Sequence, residues 1–403
     1  MKKIISLIIC ICLCIALPSN ALAKTVSMEY EANDLNTPLS SVTTSAAVGQ
    51  TLDIKAKSAI LLEPYTGRIL YESNADEALP PASITKIMSL LLVMEAIDAG
   101  NLTLESEISA SEHACSMGGS QIWLEPNETM TVNELLKAAV IASANDATVA
   151  LGEAVSGSEE GFVARMNERA KGLGMNNTTF INCTGLDAEG HLTTAHDVAL
   201  MSAALIKHEL IKKYSTVWMD TLRGGESELV NTNKLVRFYQ GTTGLKTGTT
   251  SGAGYCLSAT AKRNSMELVA VIMGGQTSND RFNGAKKLLD YGFANYSFKQ
   301  IPAELAEGTV IPVKGGVEKQ VAVEAGKPLE LLLEKSASGK VTQEITLTEE
   351  LLAPVKKGDK VGSVKILIDG EEAGVIDITA ASDINKISFI YVLGRLLSSL
   401  FTL

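Results

Sequence analysis

The chain has 403 residues, of which 46% are hydrophobic and 20% are charged. This length predicts two domains, and this composition is typical of a folded protein with a full core, which excludes a disordered chain. The formal net charge of −11 at pH 7 argues against nucleic acid as a partner.

The cysteines indicate neither a disulfide framework nor a metal site. Three of them lie near the N-terminus, and the others are Cys115, Cys183 and Cys256, with no C-x-x-C pair. The three cysteines outside the N-terminal segment are an odd number without such a pair, which is typical of buried thiols. We therefore expect no metal centre and an exporting organism that does not rely on disulfides.

The first 23 residues have the features of an export signal. A positive n-region at Lys2-Lys3 precedes an apolar segment, and Ala21-Leu22-Ala23 provides a small-x-small cleavage site. We predict a signal peptide over residues 1–23. An uncleaved anchor helix is the alternative.

The next elements lead to a buried helix. Residues 24–55 are polar and predict a spacer before the first strand. Apolar runs at 58–62 and 68–71 flank a turn that contains proline and glycine, which predicts a β-hairpin. Pro80-Pro81 then precede an apolar segment that ends at Ala99-Gly100. Its length and its glycine stop predict a helix rather than a strand.

Ser83 and Lys86 lie about one turn apart at the start of this helix. Free N–H groups and the positive end of the helix dipole favour developing negative charge there. Serine needs an adjacent base to act as a nucleophile, and lysine serves as one only when burial and a second cation lower its pKa. The pair suggests a nucleophile and its base. A capping serine followed by a solvated lysine is the alternative.

Residues 100–215 have a mostly helical pattern. An apolar helix predicted from Val132 to Leu151 is interrupted at Ser143-Ala144-Asn145-Asp146. Ser and Asn are unfavourable inside a helix unless their side chains have a role, so we expect a hydroxyl and an amide that reach into a cleft. A helix start capped by Ser143 is the alternative. Further helices are predicted at 162–173 and 195–207.

Strands return after residue 240 and end in a helix. The runs 243–249, 254–261 and 268–275 predict an antiparallel meander, and a helix follows over about 280–293. Lys246-Thr247-Gly248-Thr249 lies on the first strand, where alternation places Lys246 and Gly248 on one face. Gly248 allows another group to approach the backbone. Strands at both ends with helices between them predict an α+β domain over 56–297.

The remaining residues predict a small domain and a tail. Residues 299–384 contain short β-like runs divided by Gly, Lys and Glu, which indicates a small all-β domain. Residues 386–403 contain two charges and are short for a membrane span. On a helical wheel Arg395 and the serines lie opposite the Phe and Leu residues, which predicts an amphipathic interfacial helix. A helix packed on the protein is the alternative.

The three motifs are weak signals singly and strong together. Ser-x-x-Lys, Ser-x-Asn and Lys-Thr-Gly, in this order, form the serine-active penicillin-recognising signature. Over about residues 55–380 the chain resembles the D-alanyl-D-alanine carboxypeptidases, which are low-molecular-mass penicillin-binding proteins. It departs from the family at Cys183, where proline is frequent, and at His196. The resemblance is carried by residues 81–86, 119–121, 142–147, 182–186, 191–195 and 244–255.

The resemblance implies both a fold and an activity. The fold is an antiparallel sheet flanked by helices with an inserted helical subdomain, as in β-lactamases and transpeptidases, followed by the small all-β domain. The activity is removal of the terminal D-alanine from peptidoglycan stem pentapeptides through an acyl-enzyme on Ser83, without a cofactor. β-Lactams are expected as covalent inhibitors.

The resemblance also assigns residue roles. Ser83 attacks the peptide carbonyl, Lys86 takes its proton, and Ser143 relays a proton to the leaving D-alanine. Backbone N–H groups of Ser83 and Thr249 hold the oxyanion. The residues implied in substrate binding are Asn145, Lys246, Thr247, Gly248 and Thr249, with Arg281 as a possible helper. The histidines are expected to be structural.

Several alternatives stay open at this stage. A D,D-endopeptidase acting on cross-links uses the same residues. A class A β-lactamase is disfavoured because no Glu-x-x-Leu-Asn stretch lies in the helical region, and a non-catalytic wall-binding module is opposed by the intact motifs. The signal peptide and the tail predict an exported protein on the outer face of the cytoplasmic membrane, held there by its C-terminal helix.

Overall fold

The computed structural model describes residues 23–28, 52–336 and 339–400. The predicted signal peptide before Ala23, most of the predicted spacer and the last three residues of the tail lie outside this part of the chain. The chain divides into two compact units. The larger unit comprises Thr43–Phe298 and Leu332–Lys335, and the smaller unit comprises Met1–Val42, Lys299–Leu331 and Ser336–Leu403.

The larger unit is built on a five-stranded antiparallel sheet, which we call the central sheet. Strands from both ends of the unit join it, as predicted, because the hairpin that begins the unit pairs with the last strand of the meander. Ile60, for example, lies opposite Val271. The strands, in spatial order, are Arg68–Ser73, Ser58–Glu63, Met266–Gly275, Gly254–Arg263 and Thr242–Thr250.

Both faces of the central sheet are covered. Ile60 and Leu62 belong to the core on the side of the helical region, whereas Ala59 and Leu61 belong to the core that contains helix Ser278–Asn295. Strands buried on both faces need apolar residues at every position, which explains their continuous rather than alternating hydrophobicity.

In sequence, the helical region lies between the second and third strands of the central sheet, Arg68–Ser73 and Thr242–Thr250. Its helices are Lys86–Asp98, Glu112–Cys115, Val132–Lys137, Asn145–Ser156, Glu159–Gly172, Ala195–Leu205, Glu209–Ser215 and Leu235–Phe238. Short 3₁₀ turns cover Ala82–Thr85 and Arg223–Gly225, and a π turn covers Ala138–Ala142. Two small antiparallel sheets of two strands each pair Glu107–Ser109 with Thr129–Thr131 and Met219–Leu222 with Ser227–Val230. These elements confirm an α+β fold with an inserted helical subdomain.

The smaller unit contains a seven-stranded sheet. Its strands, in spatial order, are Ala23–Met28, Val341–Thr348, Lys360–Ile368, Glu371–Ala380, Gln320–Ala325, Val310–Lys314 and Leu351–Leu352. All pairings are antiparallel except the last, which is parallel. Outside the central sheet and this seven-stranded sheet, Tyr296–Ile301 and Leu329–Glu334 form a two-stranded sheet. Ala23–Met28 differs from the spacer predicted there, because its backbone pairs along the edge of this sheet.

The tail begins its helix later than predicted. Lys386 bridges to Gly316 and Ile387 N–H donates to Gly315 O, so these two residues belong to the smaller unit's β structure. The helix covers Phe389–Leu400. No helix among the described residues is long and apolar enough to cross a membrane.

Candidate active site

The first motif lies where a 3₁₀ turn becomes an α-helix. Ala82–Thr85 form the turn and Lys86–Asp98 the helix, directly after the two prolines. Ala82 has a φ of +50°, an unusual backbone conformation for a residue with a Cβ atom. Ser83 is partly exposed, whereas Lys86 is fully buried. Lys86 Nζ lies 3.2 Å from Ser83 Oγ.

Two fixed acceptors orient Lys86. Its Nζ donates to Asn145 Oδ1 at 2.5 Å and to the main-chain oxygen of Thr184 at 2.8 Å. A neutral amine has two N–H bonds and one lone pair, and these acceptors use both N–H bonds. The lone pair of the neutral amine is therefore left for the hydroxyl proton of Ser83.

Burial lowers the pKa of Lys86 to about 7, although Cys183 and Asp146 act in the opposite direction. At Lys246, burial first, and then the charges of Lys86 and Arg281, hold the pKa well below its usual range. Because repulsion between two cations is mutual, the closeness of the two lysines disfavours a state in which both amines are charged.

The second motif lies at a break in the helix. The π turn Ala138–Ala142 ends at Ser143, whose φ of 65° is left-handed, and a new helix begins at Asn145. This break is the interruption predicted from the sequence, and it turns both side chains out of the helical ladder. Ser143 Oγ accepts from Lys246 Nζ at 2.8 Å, while Asn145 Nδ2 donates to Gly118 O at 2.6 Å.

The third motif lies on the edge strand Thr242–Thr250. Lys246 is buried, and its Nζ donates to Ser143 Oγ and to Thr247 O. Thr247 Oγ1 donates to Thr232 Oγ1 at 2.7 Å, so it must turn before it can donate to a ligand. Thr249 is exposed, and Arg281 donates to both Thr249 Oγ1 and Gly248 O, at 2.8 and 2.9 Å.

Gly248 allows this strand to lie against the first motif. A Cβ atom at Gly248 would lie 2.9 Å from Pro81 O and from Ser83 N, and 3.0 Å from Ile84 N. These neighbours are main-chain atoms and cannot swing aside. Glycine is therefore required for the strand to approach the turn that carries Ser83.

The structure thus places the predicted residues in two contacting groups. Ser83, Lys86 and Asn145 form one group, and Ser143 with Lys246 forms the other. Ser143 and Asn145 are two residues apart, and Gly248 joins the strand of Lys246 to Ser83. The hydroxyls of two predicted residues bond outside both groups: Thr247 Oγ1 donates to Thr232, and Thr249 Oγ1 donates to Gly248 O.

Some residues that shape the site had no signal of their own in the sequence. The carbonyl of Thr184 is a main-chain group that every residue type carries. Gly185 has a φ of +86°, and a Cβ atom there would lie within 1.9 Å of Ala82 O. Asp187 accepts from Thr250 Oγ1 at 2.6 Å, which fixes the turn after the edge strand. Gly185 and Asp187 can be read from the sequence, but the residues that they contact cannot.

His191 is a structural residue of the site wall. Its Nδ1 accepts from Ile181 N–H at 3.1 Å, so its proton is on Nε2, which donates to Thr85 Oγ1 at 2.9 Å. Burial lowers the pKa of His191 to about 4, which keeps the ring neutral. No cluster of three or more His, Cys, Asp or Glu suited to a metal ion occurs among the described residues.

Two family models match the chain. The model described as D-alanyl-D-alanine carboxypeptidase matches residues 42–277. The model described as penicillin-binding protein 5, C-terminal domain, matches residues 303–386.

Individual relatives agree with these matches. The D-alanyl-D-alanine carboxypeptidase DacF of Bacillus subtilis is 43% identical over 345 residues, which cover 85% of this chain and 89% of the relative. A crystal structure of penicillin-binding protein 5 from Haemophilus influenzae has a TM-score of 0.68 and 30% identity, over 84% of this chain and 100% of that one. The structure of PBP3 from Streptococcus pneumoniae has a TM-score of 0.71 and 28% identity, over 83% and 100%.

Proposed function

The chain belongs to the D-alanyl-D-alanine carboxypeptidase family and is a serine-type D-alanyl-D-alanine carboxypeptidase, and from this we propose that Ser83 is its nucleophile and Lys86 its general base. The observation that supports this assignment is the buried Lys86 amine, held by two acceptors and 3.2 Å from Ser83 Oγ. The proposed substrate is the peptidoglycan stem pentapeptide.

Acylation follows from this geometry. Lys86 Nζ takes the hydroxyl proton as Ser83 Oγ forms a bond to the carbonyl carbon, and the carbonyl electron pair moves to oxygen. Backbone N–H groups of Ser83 and Thr249 stabilise that oxyanion. The close packing at Gly248 supports this pairing, because it holds the strand of Thr249 against the turn of Ser83.

The leaving group requires a proton on its nitrogen. As the C–N bond breaks, the proton passes from Lys86 through Ser143 to the amine of D-alanine. Water then attacks the acyl carbon, Lys86 takes the proton of that water, and Ser83 Oγ regains a proton as the ester breaks.

Lys246 is the proposed anchor for the terminal carboxylate. An anion beside Lys246 offsets the cost of burying its charge, so binding raises the pKa of this lysine toward its usual range. Thr247 and Thr249 donate to the same carboxylate once the Thr247 hydroxyl has turned from Thr232. Arg281 acts on the carboxylate indirectly, because its guanidinium donates to Thr249 Oγ1 and so positions Thr249.

The test is release of D-alanine from a soluble pentapeptide ending in D-Ala–D-Ala, together with labelling by a fluorescent penicillin. Ser83→Ala is expected to abolish both while leaving the folding transition unchanged. Labelling that persists in Ser83→Ala would show that Ser83 is not the nucleophile.

Export and membrane attachment are part of the same proposal. Cleavage after Ala23 removes the signal peptide, and residues 386–403 hold the mature protein at the outer face of the cytoplasmic membrane. The exposed apolar side chains of the tail helix support this idea, among them Phe389 and Ile390, which are 79% and 80% exposed. Arg395 meets anionic head groups. The proposal also includes the domain limits: residues 56–297 form the catalytic domain and residues 299–384 form the small β domain.

A further inference from the structure

Trp123 combines exposure with an unusual backbone conformation. Its side chain is 77% exposed, and its φ of 54° is left-handed. Single exposed apolar residues are normal, but a bulky residue with positive φ is an outlier that the surrounding structure must maintain.

The frame around Trp123 is fixed by buried groups on both sides. Ile122 and Leu124 are buried, and the N–H group of each donates to the carboxylate of Asp146, at 3.1 Å in each case to Oδ2. Asp146 is itself buried. Arg223 also donates to the carbonyl of Ile122 at 3.0 Å. The indole is therefore displayed to solvent from a rigid support.

The same segment forms part of the wall beside the nucleophile. Asn145 donates from its side chain to Gly118 O and from its N–H to Ser120 O, at 2.6 and 2.7 Å. Asn145 and Asp146 thus hold the two ends of one loop. Trp123 is three residues beyond Ser120, which limits its distance along the chain to roughly 10 Å.

We propose that Trp123 is a stacking platform for a sugar of the glycan strand that carries the stem peptide. This inference rests on the proposed substrate of the site. Four residues separate the scissile bond from the sugar, or about 14 Å of extended chain, so a platform for the sugar is expected on the wall beyond Asn145 rather than at Ser83 itself.

The chemistry around the ring favours a neutral saccharide. An indole offers an apolar face to the C–H groups of a pyranose and an N–H to its hydroxyls. Gln121 and Asn127 add polar groups nearby in the chain, and Glu125 is exposed. The carboxylate of Glu125 disfavours an anionic membrane surface at this position.

Kinetics on two substrates test the platform. For Trp123→Ala, kcat/KM on a disaccharide-linked pentapeptide should fall about three- to tenfold, the size of one aromatic contact, through a rise in KM. On the free pentapeptide kcat/KM should stay within about twofold of the parent value. Phe238→Ala, which removes another exposed aromatic side chain, is the matched control and should change neither value.

Equal losses on both substrates would overturn the proposal, since Trp123 would then act through the loop. Unchanged kinetics on both would overturn it as well, and so would loss of vesicle binding alone, which would identify a membrane contact.

A binding assay separates this inference from the catalytic assignment. Trp123 and Trp218 are the chain's two tryptophans, so Trp123 fluorescence can be followed in a Ser83→Ala, Trp218→Phe variant. Peptide-free glycan oligomers should shift that emission in a saturable way. The absence of a shift would overturn the platform even if Ser83 proves to be the nucleophile, whereas a shift would support it whatever the outcome for Ser83.

Discussion

The two units of the molecule differ in what they bury. The larger unit buries charged side chains at many points: Glu63, Lys86, Asp146, Asp197, Lys246, Glu267 and Arg281. In the described part of the smaller unit, the buried polar side chain is Gln343. Its amide accepts from Glu304 N–H and donates to Pro302 O, so it joins two segments of its own unit.

The buried charges of the larger unit are themselves of two kinds. Its buried carboxylates have donors that match them: Glu63 accepts from the N–H groups of Tyr65 and Thr66, and Glu267 accepts from Lys212. The buried cations Lys86, Lys246 and Arg281, by contrast, have hydrogen-bond partners that are all neutral. Burying a cation without a counter-ion is costly, so these three side chains are explained by chemistry rather than by stability.

The sharpest test of this contrast replaces one lysine in each unit. Lys86→Arg should lower kcat/KM for D-alanine release by about 10²–10⁴-fold, because arginine stays protonated and cannot act as a base. Lys365→Met, which removes a partly exposed lysine paired with Glu372 at 3.1 Å, should leave the rate unchanged. Lys365→Met should also keep the parent's folding transition, whereas Lys86→Arg should lower it, because arginine is a permanent cation at a buried position without a counter-ion. Activity of Lys86→Arg within tenfold of the parent would contradict the assignment of Lys86 as the base.

Two glycines provide the next comparison. Gly248→Ala should slow acylation about 100-fold, since even a displacement of about 1 Å between strand and nucleophile costs that much. Gly362 in the smaller unit is just as close to backbone, because a Cβ atom there would lie 2.4 Å from Thr346 O. Gly362→Ala should therefore destabilise its unit by about 1–3 kcal/mol without slowing acylation. Stopped-flow penicillin acylation and thermal denaturation measure the two effects.

The pH profile measures the burial of Lys86 directly. Burial disfavours the ammonium form and lowers the pKa to about 7, so the base is neutral above this pH and protonated below it. The acylation rate should fall about tenfold for each pH unit below that value and level off above it. A constant rate from mildly acidic to alkaline pH would show that the base is another group.

The smallest effect on catalysis is expected at the tail. Removing residues 389–403 keeps the pairing of Lys386 and Ile387 with the smaller unit, and should leave the rate on a soluble pentapeptide within about twofold. Sedimentation with anionic vesicles should be lost. As a finer control, Phe389→Ser with Ile390→Ser should weaken sedimentation in the full chain. A truncated protein that still sediments would show that the tail is not the anchor.

The sequence was informative where a structural requirement can be met by only one type of residue. Continuous apolar runs indicated the central sheet, and the misplaced Ser and Asn of the second motif indicated the helix break at Ser143. Gly248 was predicted as a place of close approach, and the neighbours that a Cβ atom would meet there agree with that reason. These predictions succeeded because local chemistry and tertiary structure require the same residues.

The rest depends on partners that are distant in sequence. Nothing marks Thr184 as the residue whose carbonyl orients Lys86, because the interaction uses no side chain. The pairing of Ala23–Met28 with Val341–Thr348 joins segments more than 300 positions apart, and a polar edge strand resembles a linker in sequence. Likewise, burial alone sets the direction of the Lys86 pKa, and burial is a property of the folded chain.

The order of the strands also governs when the protein becomes active. The hairpin that precedes the nucleophile pairs with Met266–Gly275, the last strand of the central sheet, and Gly248 must then reach the Ser83 turn. Because the chain is synthesised from its N-terminus, Ser83 and Lys86 are present long before those strands. In that incomplete chain Ser83 stays solvated and Lys86 stays protonated. Because these contacts join residues that are far apart in sequence, the buried neutral amine forms only once nearly the whole larger unit has been synthesised.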